Sequence, residues 1–326
     1  MPRPLAIVLN CAARERRAAA TRSWLVERLR AEGFEVDLFC VDRGGDVIGT
    51  ARRAVAQGYP AVVAAGGDGT ISAVASAVVG TSVCLGVLPV GTINHFARSM
   101  GIPADLSAAV KLIGQGSTRQ VDAGEVNGHV FVNNSTFGLH PSVVRYRDEL
   151  RVRRGMNKWV AYAVATAALL PRHQAQEVLM TTRAGAERLQ TPFVFIGNHD
   201  YLLGAFLLGM LPAPGPGELG VGVAQTGGRL GLVRLLGAAA LGRLHAAREF
   251  AHFRSPEIRM DVEARRVLVA LDGEVVELTP PLRYRSLPGA LRVITPERAA
   301  VIQGVEAQDV ETDSRSWPAT IAPMSG

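Results

Sequence analysis

Lysine is nearly absent from this chain: Lys111 and Lys158 are the only two among 35 basic residues. Arginine therefore carries nearly all of the positive charge behind a net +6. Its planar fork favours bidentate contact with phosphate or carboxylate. A nucleotide-binding lysine is mostly excluded. Cysteine is scarce too. Cys11, Cys40 and Cys84 are scattered, odd in number and lack CxxC or Cys/His spacing. Neither a disulfide framework nor a zinc site is expected, and reduced cytosol fits. Long apolar runs are missing as well: Trp159 to Leu170 and Leu235 to Leu241 fall short of the roughly 20 residues that a spanning helix needs. Any membrane contact is therefore peripheral. The opening MPRPLAIVLNCAARERR has an apolar core too short for a secretory signal and runs straight into arginines, so Leu5 to Leu9 reads as a first strand. His129, His140, His173, His199, His245 and His252 show no metal-ligand spacing and read as structural or surface residues. His199 follows a strand and can approach a cleft. No internal repeat or nucleic-acid module is present.

What is present points to two domains in 326 residues, with 48% hydrophobic composition ruling out wholesale disorder. The stretch Val62 to Thr70, VVAAGGDGT, is the organising element. Val62 to Ala65 has no polar member and reads as a strand buried on both faces. Gly66, Gly67 and Gly69 follow, and Ile71 to Val79 resumes at helical spacing. The glycines thus lie where a helix N-terminus offers free N–H groups to a phosphate. A plain strand-to-helix turn would need the same glycines. Asp68 and Thr70 shift the balance, because an acid inside an anion cradle calls for a cation beside the phosphate, such as Mg²⁺ with a nucleotide.

Around this loop the pattern alternates: Leu5 to Leu9 as strand, Arg14 to Ala31 as helix, Glu35 to Val41 as strand, and a helix from Asp46 to about Gln57. Such β-α-β-α-β alternation means a doubly wound parallel sheet with its ligand crevice at the carboxyl ends of the strands. A fourth strand, Val83 to Leu88, ends in PVGTINHF. There Gly91 and Thr92 supply a turn and a hydroxyl, and Asn94 supplies an amide for a ligand or a helix cap. From Val121 the pattern changes to short alternating segments, with Asn127-Gly128 as a hairpin turn. The expected division is an α/β nucleotide domain over 1–126 completed by 288–303, a β-rich antiparallel sandwich over 127–287, and a loose tail over 304–326.

Within the second part, Arg145 to Lys158 is the strongest charge cluster. It reads either as a solvated helix face or, beside apolar Trp159 to Leu170, as contact with an anionic bilayer. Leu202 to Pro216 reads as an apolar-lined loop and Gly231 to Arg248 as a helix. Late strands follow at Glu257 to Val262, Val267 to Leu271, Val275 to Leu278 and Ala290 to Ile294. Asp272-Gly273, in LDGEVVEL, is a hairpin turn on its face.

GGDGT, a strand ending in P-x-G-T-x-N and a late DGE occur in the order found in the diacylglycerol kinase catalytic-domain family, which this chain resembles from about Leu5 to Pro296. The resemblance implies ATP and Mg²⁺ in a cleft between two domains, and γ-phosphate transfer to a lipid hydroxyl. Carried over, Asn10, Gly66, Gly67, Asp68, Gly69, Thr70, Ile71, Ser72, Gly91, Thr92 and Asn94 fall at nucleotide-binding positions. Asp272 and Glu274 fall at the catalytic ones, with Glu274 favoured as base. Asp68 and Asp122 are the acids left to order a metal. The family's usual acids are absent at Ala73, at His95 and in GPGELGV from Gly215 to Val221. The implied partners are a lipid substrate and an anionic membrane face, with a cytoplasmic site at its inner leaflet. A homodimer is compatible with the sequence. A non-catalytic nucleotide or lipid sensor of the same fold is the alternative, and a soluble NAD kinase, which shares the GGDGT loop, is a third reading.

Overall fold

A computed structural model of the chain describes residues 2–11, 15–42, 46–198, 215–225 and 250–297, with isolated positions 231 and 234. The readings made for His199, for His245, for all but the last two residues of the 202–216 loop, for most of the 231–248 helix and for the tail lie outside these residues.

Alternation in the first third gives β1 (Arg3–Asn10), α1 (Glu15–Ala31), β2 (Phe34–Val41), α2 (Val47–Ala56), β3 (Ala61–Gly66), α3 (Asp68–Val78) and β4 (Cys84–Pro89). The strands lie in the order β2-β1-β3-β4, all parallel. Val62 to Ala65 of β3 are fully buried because helices cover both faces and neighbouring strands cover both edges. Two short helices, α4 (His95–Ser99) and α5 (Leu106–Gln115), follow. Asp46 caps α2 by accepting from Gly49 N at 2.7 Å, and Asp105 caps α5 in the same way.

The remainder is mostly antiparallel. It contains β5 (Ser117–Val126), β6 (His129–Phe131), β7 (Asn134–Gly138), α6 (Leu139–Arg154), α7 (Lys158–Leu169), β8 (Gln176–Thr182), β9 (Gly185–Thr191) and β10 (Phe193–Gly197). Then come β11 (Leu219–Ala224), β12 (Phe250–Ser255), β13 (Glu257–Val262), β14 (Val267–Leu271), β15 (Glu274–Leu278) and β16 (Leu282–Thr295). One sheet, β12-β11-β10-β7-β14-β15, is antiparallel throughout. It faces the antiparallel half of the other sheet across a core of Phe131, Phe137, Val194, Met260, Val269 and Tyr284. The expected fold class, a doubly wound α/β unit plus an antiparallel β-sandwich, is what forms.

One strand joins the two halves. β16 pairs Arg292 and Val293 in parallel with Cys84 and Leu85 of β4, while its Leu282 to Arg285 pair antiparallel with β13. The register against β5 shifts between Leu287 and Leu291, where Gly289 takes φ +60°. The sequence shows only Ala290 to Ile294 as strand because Pro288 and Gly289 break the alternation that continues on both sides. The β8–β9 hairpin also has no expected counterpart: its polar residues alternate at a half-exposed sheet edge.

Cys11 and Cys40 form a disulfide, with Cα atoms 5.7 Å apart. This corrects the expectation of unpaired, reduced cysteines. Parallel pairing places Leu9 opposite Cys40, and Cys11 N donates to Val41 O at 2.9 Å, so residues 29 apart in sequence become neighbours. Cys84 is free. Among the described residues, no helix is long and apolar enough to cross a membrane.

Leu85, fully buried on β4 between β3 and β16, tests this junction. Leu85→Ala is expected to cost about 2–5 kcal/mol, read as a lowered midpoint in chemical denaturation.

Candidate active site

The two glycine loops touch through their backbones. β3 ends at Gly66, and Gly67 is the extended residue that caps α3. A Cβ on Gly91 would collide with Gly67 Cα and lie 2.6 Å from Asn94 Oδ1. Only glycine fits there. Val90 N donates to Gly66 O at 3.1 Å, which locks the loops side by side. The helix starts at Asp68, three residues before the point that periodicity indicates, so Asp68, Gly69 and Thr70 form its first turn.

The side chains divide into those that line the cleft and those that hold it. A cleft of about 390 Å³ is lined by Asn10, Asp46, Gly67, Gly69, Thr70 and Glu274, with Val47, Ile48 and Ala73 completing it. Asn10 Nδ2 donates to Thr70 Oγ1 at 3.3 Å and ties the end of β1 to α3. Gly66 ends its strand beneath the Thr70 side chain. Ser72 sits beside Asp272. Thr92 is exposed at the rim of the second loop. Asn94 adopts φ +53° and donates from Nδ2 to Gly91 O at 2.9 Å and Pro89 O at 3.4 Å, so its amide closes its own loop. Ile71 is fully buried in the core and its N–H donates to Gly67 O, which removes it from ligand contact.

The late DGE reaches this cleft from the other sheet. Asp272 (φ +49°) and Gly273 (φ +89°) form the tight turn joining β14 to β15, with Leu271 opposite Glu274. The turn reading holds, and the same turn carries Glu274 to the cleft. Asp272 Oδ1 accepts from Asn133 N at 2.8 Å and Asn134 N at 2.9 Å, and Oδ2 accepts from Val132 N at 2.9 Å. Burial pushes its carboxyl up, against these donors and the Ser72 hydroxyl, which favour the ionised form. These bonds anchor the hairpin to the Val132–Asn134 segment. Glu274 then extends so that its Oε1 lies 3.2 Å from where a Gly69 Cβ would be, at the first turn of α3. Partial burial raises the Glu274 pKa, and the charges of Asp272 and Asp148 add to the rise.

Asp68 and Asp122 accept from different backbone segments. Asp68 Oδ1 accepts from Phe96 N at 3.3 Å, at the start of α4. Asp122 accepts from Gly217 N at 2.6 Å and Gly289 N at 2.8 Å, tying β5 to the β16 bulge and to the turn before β11. Each Asp122 oxygen thus accepts one backbone N–H, which fixes this acid in the fold while leaving each oxygen a further lone pair. No cluster of three metal-ligating side chains exists among the described residues. The residues present do fit a Mg²⁺ carried in with nucleotide phosphates, for which one or two carboxylates suffice. Asp68, at the first turn of α3, is the carboxylate that would hold it.

Two residues that sequence reasoning left on a charged surface act on this site. Lys158 opens α7, and its charge is felt at Asp68 and His95. Partial burial and the charges of Arg147 and Arg151 lower its pKa, against Asp68 and Asp148. His95 is lowered mainly by burial, so it is neutral near pH 7. Asp148, held by Arg147 at 2.8 and 2.9 Å, adds its field to Glu274. The available signal was that Lys158 is one of only two lysines in the chain.

Residues 4–126 match the model of the diacylglycerol kinase catalytic domain, and 134–295 match the YegS C-terminal NAD kinase beta sandwich-like domain. A "Probable lipid kinase YegS-like" protein of Pseudomonas aeruginosa strain PAO1 is 33% identical over 291 residues, 86% of this chain and 91% of that protein. The chain belongs to the diacylglycerol kinase catalytic-domain family. A namesake from Pseudomonas fluorescens strain Pf-5 is 29% identical over 86% of this chain and 92% of its own length. A crystal structure of a diacylglycerol kinase from Bacillus anthracis str. Sterne has TM-score 0.64 at 18% identity, over 90% of this chain and 97% of that one, and shares the fold. The likeness of the second domain to an NAD kinase sandwich sits beside the GGDGT loop that NAD kinases also carry.

Asp272 and Glu274 separate cleanly by stability. Asp272→Asn should destabilise the protein by about 1–3 kcal/mol in thermal or denaturant unfolding, because backbone donors lose a carboxylate oxygen. Glu274→Gln should leave unfolding unchanged.

Proposed function

We propose that this family member is an ATP- and Mg²⁺-dependent lipid kinase that transfers the γ-phosphate to the hydroxyl of diacylglycerol or a related lipid. The observation that carries the reading is the Glu274 carboxylate facing Gly69 at the first turn of α3. It supplies a proton acceptor beside an N–H-rich phosphate cradle. Glu274 takes the proton of the lipid hydroxyl as its oxygen bonds to the γ-phosphorus, and the bond from phosphorus to the bridging oxygen breaks to leave ADP. The raised pKa of Glu274 makes it a better acceptor near neutral pH than an ordinary glutamate. Mg²⁺, when bound, would screen the phosphate charge, with Asp68 as its protein carboxylate. Lys158 stands close enough to Asp68 to add positive charge to the same region.

Purified protein with radiolabelled ATP, Mg²⁺ and mixed micelles of diacylglycerol, monoacylglycerol or sphingoid bases should yield a phosphorylated lipid. Glu274→Gln should lower kcat by about 10²–10⁴-fold. The acid limb of the pH profile should lie above the ordinary glutamate range, because activity is lost as pH falls and Glu274 is protonated. No lipid product from folded protein would overturn the reading. The missing acids, with His95 in place of one, favour a second reading as a nucleotide or lipid sensor. That reading gains if ATP binds while Asp68→Ala and Glu274→Gln alter nothing measurable.

The lipid is expected to be met at an anionic bilayer through the α6–α7 corner. Val152 is 85% exposed, Val160 52% and Trp159 48%, beside Arg151, Arg153 and Arg154 in the last turn of α6. Exposed apolar side chains ringed by arginine suit a bilayer interface. Wild-type protein should co-sediment with phosphatidylglycerol vesicles and lose that binding in Val152→Ser/Trp159→Ser/Val160→Ser, with ATP affinity unchanged. Equal sedimentation of the two proteins would remove this corner from the interface.

A further inference from the structure

The disulfide joins β1, whose last residue Asn10 lines the cleft, to the end of β2. β1 and β2 already pair from Arg3 opposite Phe34 to Asn10 opposite Val41, so the cross-link is not needed to hold them together. What it fixes is their carboxyl ends. Cys11 follows Asn10, which lines the cleft and donates to Thr70. Cys40 precedes Val41, the last residue of β2, and Asp46, Val47 and Ile48, which also line the cleft, come next among the lining residues in sequence. Cys11 is buried and continues the ladder through its N–H to Val41 O. Cys40 is exposed at the strand end, where a soluble thiol can reach the bond. Exposed disulfides are the ones open to exchange, and in reducing compartments a disulfide is usually a sensor or a catalyst rather than a staple.

We propose that the Cys11–Cys40 bond is a redox switch on nucleotide affinity, with the oxidised protein binding ATP more tightly. The proposal rests on the reading of this cleft as the ATP site. A dithiol attacks at Sγ of Cys40, the Sγ–Sγ bond breaks, and resolution of the mixed disulfide leaves two cysteine thiols and one oxidised dithiol. Two electrons and two protons pass from the dithiol to the protein. Once reduced, Asn10 and the Asp46 to Ile48 segment lose the short cross-link between them and keep only the long path through the intervening chain, so binding must order them. Glu274 and Asp272 stand on the other sheet and are untouched by the change. The switch therefore acts on ATP affinity and not on the chemical step.

The experiment uses full-length protein oxidised with glutathione disulfide or reduced with dithiothreitol. Alkylation and intact mass count the thiols, and calorimetry with Mg·ATP reads affinity. The oxidised protein should alkylate at Cys84 alone, the reduced one at all three cysteines. Reduction should weaken ATP binding by about fivefold, the scale of ordering one or two extra groups on binding. KM for ATP should rise with kcat unchanged. Cys40→Ser, at an exposed position, should match the reduced protein and ignore the redox state, and Cys84→Ser should still respond. Equal ATP affinity in the two states, or three alkylated thiols after oxidation, overturns the switch and leaves the kinase reading standing. Failure of ATP to bind in either state overturns both.

Discussion

Gly67 and Gly91 meet backbone to backbone, and a single Cβ on Gly91 would force the loops apart. From that contact follows the placement of everything at the cleft floor. Because the loops end adjacent parallel strands, the first turn of α3 and the start of α4 are brought side by side, and Asp68 accepts from Phe96 N across the gap. A helix N-terminus with free N–H groups thus gains a second glycine turn as its wall. The anion cradle is a product of strand order rather than of either loop alone.

The opposite wall is held by a different device. Asp272 commits its carboxylate to N–H groups of Val132, Asn133 and Asn134, so the β14–β15 turn is anchored to the link between β6 and β7. An acid with that many donors is a fixture. Its neighbour two positions on is free to face Gly69, and the two roles of the DGE segment separate by geometry although they adjoin in sequence. β16 keeps the walls in register, since one strand belongs to both halves of the large sheet. Asp122 serves the same end by tying β5 to the bulge of β16. Its two oxygens hold Gly217 and Gly289 in place.

Much of this was legible in the residues. The fully apolar VVAA run, the glycines after it and the alternation of Leu5 to Gln57 specify a parallel sheet and its crevice, because a buried strand and a glycine turn have few other uses. Asn127-Gly128 and Asp272-Gly273 specify hairpins for the same reason. The hidden parts have identifiable causes. Pro288 and Gly289 conceal the middle of β16 because a bulge looks like a break. Gln176 to Thr191 conceals an edge hairpin because a half-solvated strand carries too few apolar residues to stand out. Ile71 looked like part of a ligand loop, yet one turn into a helix its side chain points to the core.

The sequence by itself determined the classes of element and the chemistry on offer: a glycine-rich phosphate loop, a late acid pair and an arginine-dominated charge. These are local properties, fixed by backbone freedom and side-chain type over a few residues. Only the tertiary structure decided which groups meet. Lys158 comes to Asp68, Glu274 to Gly69, and Cys11 to Cys40, across separations that no local pattern encodes. Pairing register and the packing of one sheet against the other bring those groups together, and such long-range contacts depend on every strand between them being in place.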